Sequence, residues 1–282
     1  MFNTSWSVLI VDDEPDVLSL SRLVMQDFTV YGLPVELHTA ASKAEAIKLM
    51  ETELIPYLPT VPPPRVAVAF IDVVMESDTA GLELCDHIRN KMGNKVVQLF
   101  IRTGQPGIAP ERDVIDHYDI NGYFTKAEAT ENKLYSLVKS GVRQYLSYLA
   151  ATMTPLILSR MSAAAVSRDS LQKFLQMTPM MQRDGHFVFI DGQAVAGTMK
   201  EADASALVAR LDQLTGESLG SDNDKFVLDE DHNMLIKIAS DDTKAELAYV
   251  VAGDWQYMPP GTVKTFLHAI GSTGATLWKR AG

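Results

Sequence analysis

The chain has 282 residues, 46% of them hydrophobic and 22% charged, which is the composition of a folded globular protein of one large or two ordinary domains. A formal net charge of −11 argues against nucleic acid as a partner, because phosphate neutralisation needs a basic face. A single cysteine, Cys85, excludes an internal disulfide framework and a Cys-based zinc site, and it suits a reducing compartment.

In chain order, "MFNTSW" carries no basic leader, and the apolar runs fall short of a membrane span, so a cytoplasmic protein without a membrane partner is expected. Ser7–Val11 is a short β-branched run that reads as a buried strand. After "DDE", Pro15 sits at a first helical position, and Val17, Leu20, Val24 and Phe28 recur at helical spacing. "PVELHTA" reads as a second strand, and "SKAEAIKLM" as a helix opened by a capping box of Ser42 and Glu45. "IPYLPTVPPP" is too rich in proline for either element and reads as a long loop.

"RVAVAFID" is the third strand and Gly81–Met92 the third helix. "KVVQLFIRT" is the fourth strand, "PERDVIDHY" a helix, and "GYFTK" a short fifth strand. Helical spacing then resumes from Glu128 through Leu134, Val138, Val142, Tyr145, Leu146 and Leu149. This alternation predicts a doubly wound α/β fold with a five-stranded parallel sheet. Reactive groups in such sheets gather at the carboxyl ends of the strands.

Chemistry-bearing residues fall at four of those ends. Asp12 and Asp13 follow strand one, Asp72 ends strand three, and Thr103 and Lys126 follow strands four and five. Three close carboxylates repel each other unless a cation joins them, and an all-oxygen set suits Mg²⁺. A lysine and a hydroxyl opposite suit the oxygens of a transferring phosphoryl group, with Asp72 as the nucleophile. If the sheet is wound in the usual open order, all five side chains converge on one shallow cleft.

"LIVDDE", "FIDVVM", "IRTG" and "YFTK", in this order, resemble the receiver (CheY-like) domain of two-component response regulators over about half the chain. The resemblance implies that Asp72 is the phosphoacceptor and that Asp13, Asp72 and the Val74 carbonyl bind Mg²⁺ directly, with Asp12 acting mainly through water. It implies that Lys126 and Thr103 contact the phosphoryl oxygens, and that Tyr123 is the aromatic switch that moves with Thr103. Glu76 stands where the family usually has proline, so that loop is expected to differ. Ala127 replaces the usual proline after the lysine, so the lysine loop is expected to be less fixed. The proline-rich insert is longer than usual.

"MESDTAGLELCDHIR", "RTGQPGIAPERDVIDHYDINGYFTK" and "KLYSLVKSGVRQYL" resemble a receiver subfamily usually followed by a domain of unknown function and often by an HD-GYP phosphodiesterase. No His-Asp pair of the HD type and no Gly-Tyr-Pro triplet stands in the C-terminal half, so that enzyme is not expected here. The organisation expected is a receiver over 1–127, a helical linker over 128–178 and an α+β domain over 179–282. Thr154-Pro155 is expected to break or kink the long helix. The second helical stretch, to about Met177, is expected to pack within the chain and to give some dimer contact.

"HFVFIDGQAVAG" reads as a hairpin turning at Asp191-Gly192, "EADASALVARLDQL" as a helix, and "KFVLDEDHNMLIKI" and "ELAYVVAG" as strands. "PPGTVKTFLHAIGSTGATLWKR" closes the chain as a helix. This order resembles a small GAF-like domain. His186, His232 and His268 lack the spacing of a metal site, and the acids from Glu217 to Asp231 read as a solvated loop rather than a calcium site. Trp255 and Tyr257 read as aromatic core or rim.

The resemblance as a whole implies a cytoplasmic bacterial response regulator. A histidine kinase or phosphotransfer protein phosphorylates Asp72, and the C-terminal domain acts by contact with a downstream protein. On that reading the protein is not an enzyme by output, because the receiver catalyses only its own phosphotransfer and dephosphorylation. The competing expectations make the C-terminal half a small-ligand sensor, or a degenerate enzyme of second-messenger or phosphatase type.

Overall fold

A computed structural model describes residues 5–52, 54, 65–104, 111–177, 184–211, 213–214, 216, 224–240, 242–253 and 261–282. Two compact units emerge, one ending at Leu149 and the other beginning at Ala150.

The N-terminal unit contains β1 (Trp6–Val11), α1 (Pro15–Met25), β2 (Thr29–Val30), β3 (Leu33–Ala40), α2 (Lys43–Thr52) and β4 (Val66–Ile71). α3 (Ala80–Asp86), β5 (Gln98–Thr103), α4 (Glu111–Tyr118), β6 (Gly122–Thr125) and the first part of α5 (Glu131–Ala164) complete it. The sheet order is β2-β3-β1-β4-β5-β6. Five strands pair in parallel, as the alternating pattern requires.

The sixth, β2, is an addition to the expected sheet. It pairs antiparallel with β3 through a two-residue turn at Tyr31-Gly32, both at positive φ (51° and 76°). The Trp6 indole anchors this edge by donating to the Val30 carbonyl at 2.7 Å.

Every residue of β1, β4 and β5 is buried, which accounts for the apolar character of β1 and β4, while β5 also buries Gln98, Arg102 and Thr103. One core holds Leu9, Val11, Ala69, Ile71, Leu99 and Ile101 from the central strands with Leu84 and Ile88. The expected third helix is α3 followed by a π-helical stretch at His87–Lys91. In α5, Leu134, Val138, Val142, Tyr145, Leu146 and Leu149 are buried at the spacing of one helix face. Gly141 lies so close to Val68 that a Cβ would meet its methyl at 2.6 Å.

α5 continues as helix through Pro155, so the expected break at Thr154-Pro155 does not occur. Thr154 Oγ1 donates to the Ala150 carbonyl one turn back, a local bond compatible with the helical path.

The C-terminal unit holds the end of α5, then α6 (Arg168–Met177), β7 (His186–Ile190), β8 (Gln193–Gly197), α7 (Glu201–Leu211), β9 (Lys225–Leu228), β10 (Met234–Ala239), β11 (Glu246–Val251) and α8 (Gly261–Arg280). Its sheet is antiparallel throughout, in the order β8-β7-β11-β10-β9. The hairpin turn at Asp191-Gly192 is observed, again with both residues at positive φ.

"KFVLDEDHNMLIKI" is two strands rather than one. Asp229 turns the chain by accepting from the Asp231 and Asn233 amides, with His232 at φ 60°. Among the acids expected to be solvated, Asp224 and Asp229 are buried instead. Asp224 lies 2.6 Å from His268 Nδ1, and Asp229 lies 3.3 Å from Arg210. Residues 217–223, the proline-rich segment 55–64, and Trp255 and Tyr257 lie outside the described residues.

Candidate functional site

The site is built where β1 and β4 leave the sheet together. Val11 is level with Ile71, so Asp12 and Asp72 emerge side by side. The ladder extends one residue past each strand, because the Asp12 amide donates to Ala40 O at 3.1 Å and the Asp72 amide to Val11 O at 2.9 Å. Both backbones are therefore pinned before their side chains do anything.

Asp12, Asp13 and Asp72 each present a carboxylate oxygen within 4.8 Å of the others. Among the described residues they are the one group of three or more His, Cys, Asp or Glu side chains arranged to hold a metal. Asp12 is fully buried and Asp72 is 4% exposed, while Asp13 faces solvent. Two of the three carboxylates are thus shielded from solvent and the third is open to it.

Lys126 meets this cluster from the end of β6. Its Nζ lies 2.7 Å from Asp72 Oδ2, 3.0 Å from Asp12 Oδ2 and 2.6 Å from Glu14 Oε1. Burial alone would lower the Lys126 pKa, but hydrogen bonds to Asp72, Glu14 and Asp12 outweigh it and hold the ammonium above the ordinary lysine value. The bond to Lys126 holds the Glu14 carboxyl below its ordinary value. Asp72 goes the other way. Burial pushes its carboxyl above the ordinary carboxylate range, further than Lys126 pulls it down, and neighbouring Asp12 adds to the rise.

The two Asp72 oxygens are unequal. Oδ2 is held by Lys126, whereas Oδ1 is buried with no hydrogen-bond partner among the described residues. A buried, unpartnered carboxylate oxygen beside two further carboxylates is costly, and a hard divalent cation with oxygen preference relieves it. The donor set therefore fits such an ion.

The remaining expected residues lie on adjoining strands. Thr103 ends β5 level with Thr125 and is buried, and Tyr123 on β6 is half-buried and level with Ile101. Val74 stands two residues past Asp72 in the loop leading to α3. Glu76, in the same loop, accepts from the Lys43 amide at 3.1 Å at the start of α2, where a negative charge is favoured. The lysine loop is fixed despite Ala127. A capping box spans it, with the Glu128 carboxylate accepting from both the Thr125 amide and the Thr125 hydroxyl.

Sequence reasoning missed Arg102. Its side chain is 4% exposed, and Nη2 lies 3.1 Å from Asp12 Oδ2. The signal was available, since a charged residue inside a buried strand needs a buried partner. Glu14 and Ser21 were missed with it.

The strand order and the side chains gathered at the strand ends give the N-terminal half a doubly wound α/β fold with an acidic cluster at the carboxyl edge of its sheet. No protein-family model matches the sequence. Over 140 residues, half of this chain, it is 39% identical to 3'3'-cGAMP-specific phosphodiesterase 2 of Vibrio cholerae serotype O1, and it spans a quarter of that protein's length.

Among solved structures, it is similar to the signal receiver domain of an HD domain-containing protein from Pseudomonas fluorescens Pf-5. That match has a TM-score of 0.40 and 16% identity, and covers 50% of this chain and 97% of that one. It is also similar to chemotaxis protein CheY4 of Vibrio cholerae, with a TM-score of 0.38 and 22% identity, covering 48% of this chain and 98% of that one. No helix among the described residues is long and apolar enough to cross a membrane.

Proposed function

We propose that the chain is a two-component response regulator whose Asp72 accepts a phosphoryl group from a histidine kinase or phosphotransfer protein. The observation that carries this reading is the asymmetry of Asp72, with one oxygen held by Lys126 and the other buried and unpartnered. In this reading the Asp72 carboxylate attacks phosphorus, a P–O bond to Asp72 forms, and the bond from phosphorus to the donor breaks. Lys126, kept charged by its carboxylate neighbours, stabilises the phosphoryl oxygens. Thr103 takes another of those oxygens, and Tyr123 follows Thr103 as the switch.

Mg²⁺ is the cation proposed, held by Asp13, Asp72 and the Val74 carbonyl, with Asp12 acting through water. When bound, it supplies charge neutralisation for the carboxylates and for the transferring group.

The C-terminal unit is proposed as a GAF-like domain in a cytoplasmic protein, signalling by protein contacts rather than by catalysis. Its buried polar groups support this, because they serve the fold. His186 is bonded to Tyr249, and Asp229 to Asn233 and the turn amides. The test is incubation with acetyl phosphate and Mg²⁺ followed by intact mass measurement. The expected result is one added phosphoryl group, absent from Asp72→Ala and absent when the metal is chelated. Equal labelling of Asp72→Ala would remove the proposed nucleophile.

A further inference from the structure

Arg102 adds a cation to the acid cluster that the phosphoacceptor reading does not use, and its consequence rests on that reading's metal site. Its Nη2 donates to Asp12 Oδ2 at 3.1 Å, and Nη1 donates to Ser21 Oγ at 3.0 Å. Ser21 Oγ in turn donates to the Val17 carbonyl at 2.7 Å, so the serine is held in place by α1. Arg102 Nε is buried with no hydrogen-bond partner among the described residues. A guanidinium desolvated to this extent is stable only against a matching negative charge, which here is Asp12.

Asp12 is committed on both oxygens. Oδ2 faces Arg102 and Lys126, while Oδ1 accepts from Lys126 at 3.1 Å and from the Glu14 amide at 3.1 Å. Its carboxylate is therefore balanced by two protein cations and engaged by four contacts before any metal arrives. Asp13 and Asp72 Oδ1 carry no such commitment to Arg102.

We infer that Arg102 is a positioning residue that holds Asp12 back from direct metal coordination and lowers the affinity of the site for a divalent cation. Two effects act together. The guanidinium fixes Asp12 Oδ2 against β5, and its charge repels a second cation brought into the same buried cluster, where screening by water is weak.

The test is calorimetric titration of the full chain with Mg²⁺. Arg102→Gln keeps a donor for Asp12 but removes the charge, Arg102→Met removes both, and Arg102→Lys keeps the charge. The uncharged variants are expected to bind Mg²⁺ about tenfold tighter than the parent, ~1.4 kcal/mol, while Arg102→Lys binds as the parent does. A role confined to propping the fold predicts weaker binding in the uncharged variants, and unchanged or weaker binding in both overturns the inference while leaving the metal site standing. No Mg²⁺ binding by the parent or by any variant overturns the metal reading and this inference with it. Thermal melts in metal-free buffer, run on the same samples, confirm that a folded protein was titrated.

Discussion

Gly81, at the start of α3, lies against the carbonyl of Asp72 so closely that a Cβ would fall 1.8 Å from that oxygen. The Gly81 amide also donates to Val73 O at 3.0 Å, so the helix start is tied to the loop that follows Asp72. A glycine nine residues after Asp72 thus sets where the end of β4 can lie. Gly81→Ala forces α3 and the Asp72 backbone apart. We expect a loss of about 1–3 kcal/mol or more, and weaker Mg²⁺ binding, read by thermal unfolding and calorimetry. An unchanged melting temperature would show that the loop relaxes freely.

Asp72 gives a pH prediction. Its carboxyl is raised above its ordinary value mainly by burial, so its ionised form is disfavoured in the folded chain. The associated stability is fully present below the ordinary carboxylate range and is lost as pH rises through the folded value. In metal-free buffer Asp72→Asn, which removes the charge at similar size, therefore melts higher than the parent at neutral pH. Its advantage shrinks toward zero in strongly acidic buffer, where Asp72 is protonated in both states. A gain that grows on acidification would reverse the assigned sign.

Lys126 balances two buried carboxylates and one exposed one. Lys126→Met leaves Asp72 without its cation and Asp12 with Arg102 alone. Breaking a buried pair from one side costs about 3–5 kcal/mol, and Lys126 is 18% exposed, so the lower end is expected. Mg²⁺ should restore more melting temperature to this variant than to the parent, while labelling by acetyl phosphate falls sharply. Full labelling of the variant would dissociate the lysine from phosphoryl transfer.

Cys85 reports on the same core. It is fully buried, and burial pushes its thiol up to about 12, so thiolate is scarce at pH 8. Because the chain has a single cysteine, alkylation in native buffer should proceed only as fast as the core opens, and should accelerate with denaturant. Rapid native labelling would mean that the α3 face of the sheet is looser than its packing implies.

The parallel sheet and four of its site residues were legible because their cause is local. Short apolar runs rich in β-branched residues, such as "RVAVAFID", read as buried strands, and Asp12, Asp13, Asp72 and Lys126 stand at strand ends whatever the loop details. β2 was not legible, since two residues carry no periodicity and the turn at Tyr31-Gly32 is not one of the strongest hairpin pairs. The passage of α5 through Pro155 depends on packing at the level of the whole helix rather than on proline's own preference. Burial of Asp224 and Asp229 was hidden because their partners, His268, Arg210 and Asn233, are partly remote in sequence. Arg102 was missed although its charge stands in plain view within a buried strand.

The claim that everything else depends on is that the Asp72 carboxylate receives phosphorus beside a divalent cation. A crystal structure of the chain grown with Mg²⁺ and beryllofluoride, a mimic of a bound phosphoryl group, tests it most directly. The account predicts fluoroberyllate density joined to one oxygen of Asp72, with Lys126 Nζ turned to a fluorine and the metal ligated by Asp13 and the other Asp72 oxygen. Density on another side chain, or a metal bound away from these carboxylates, would contradict it.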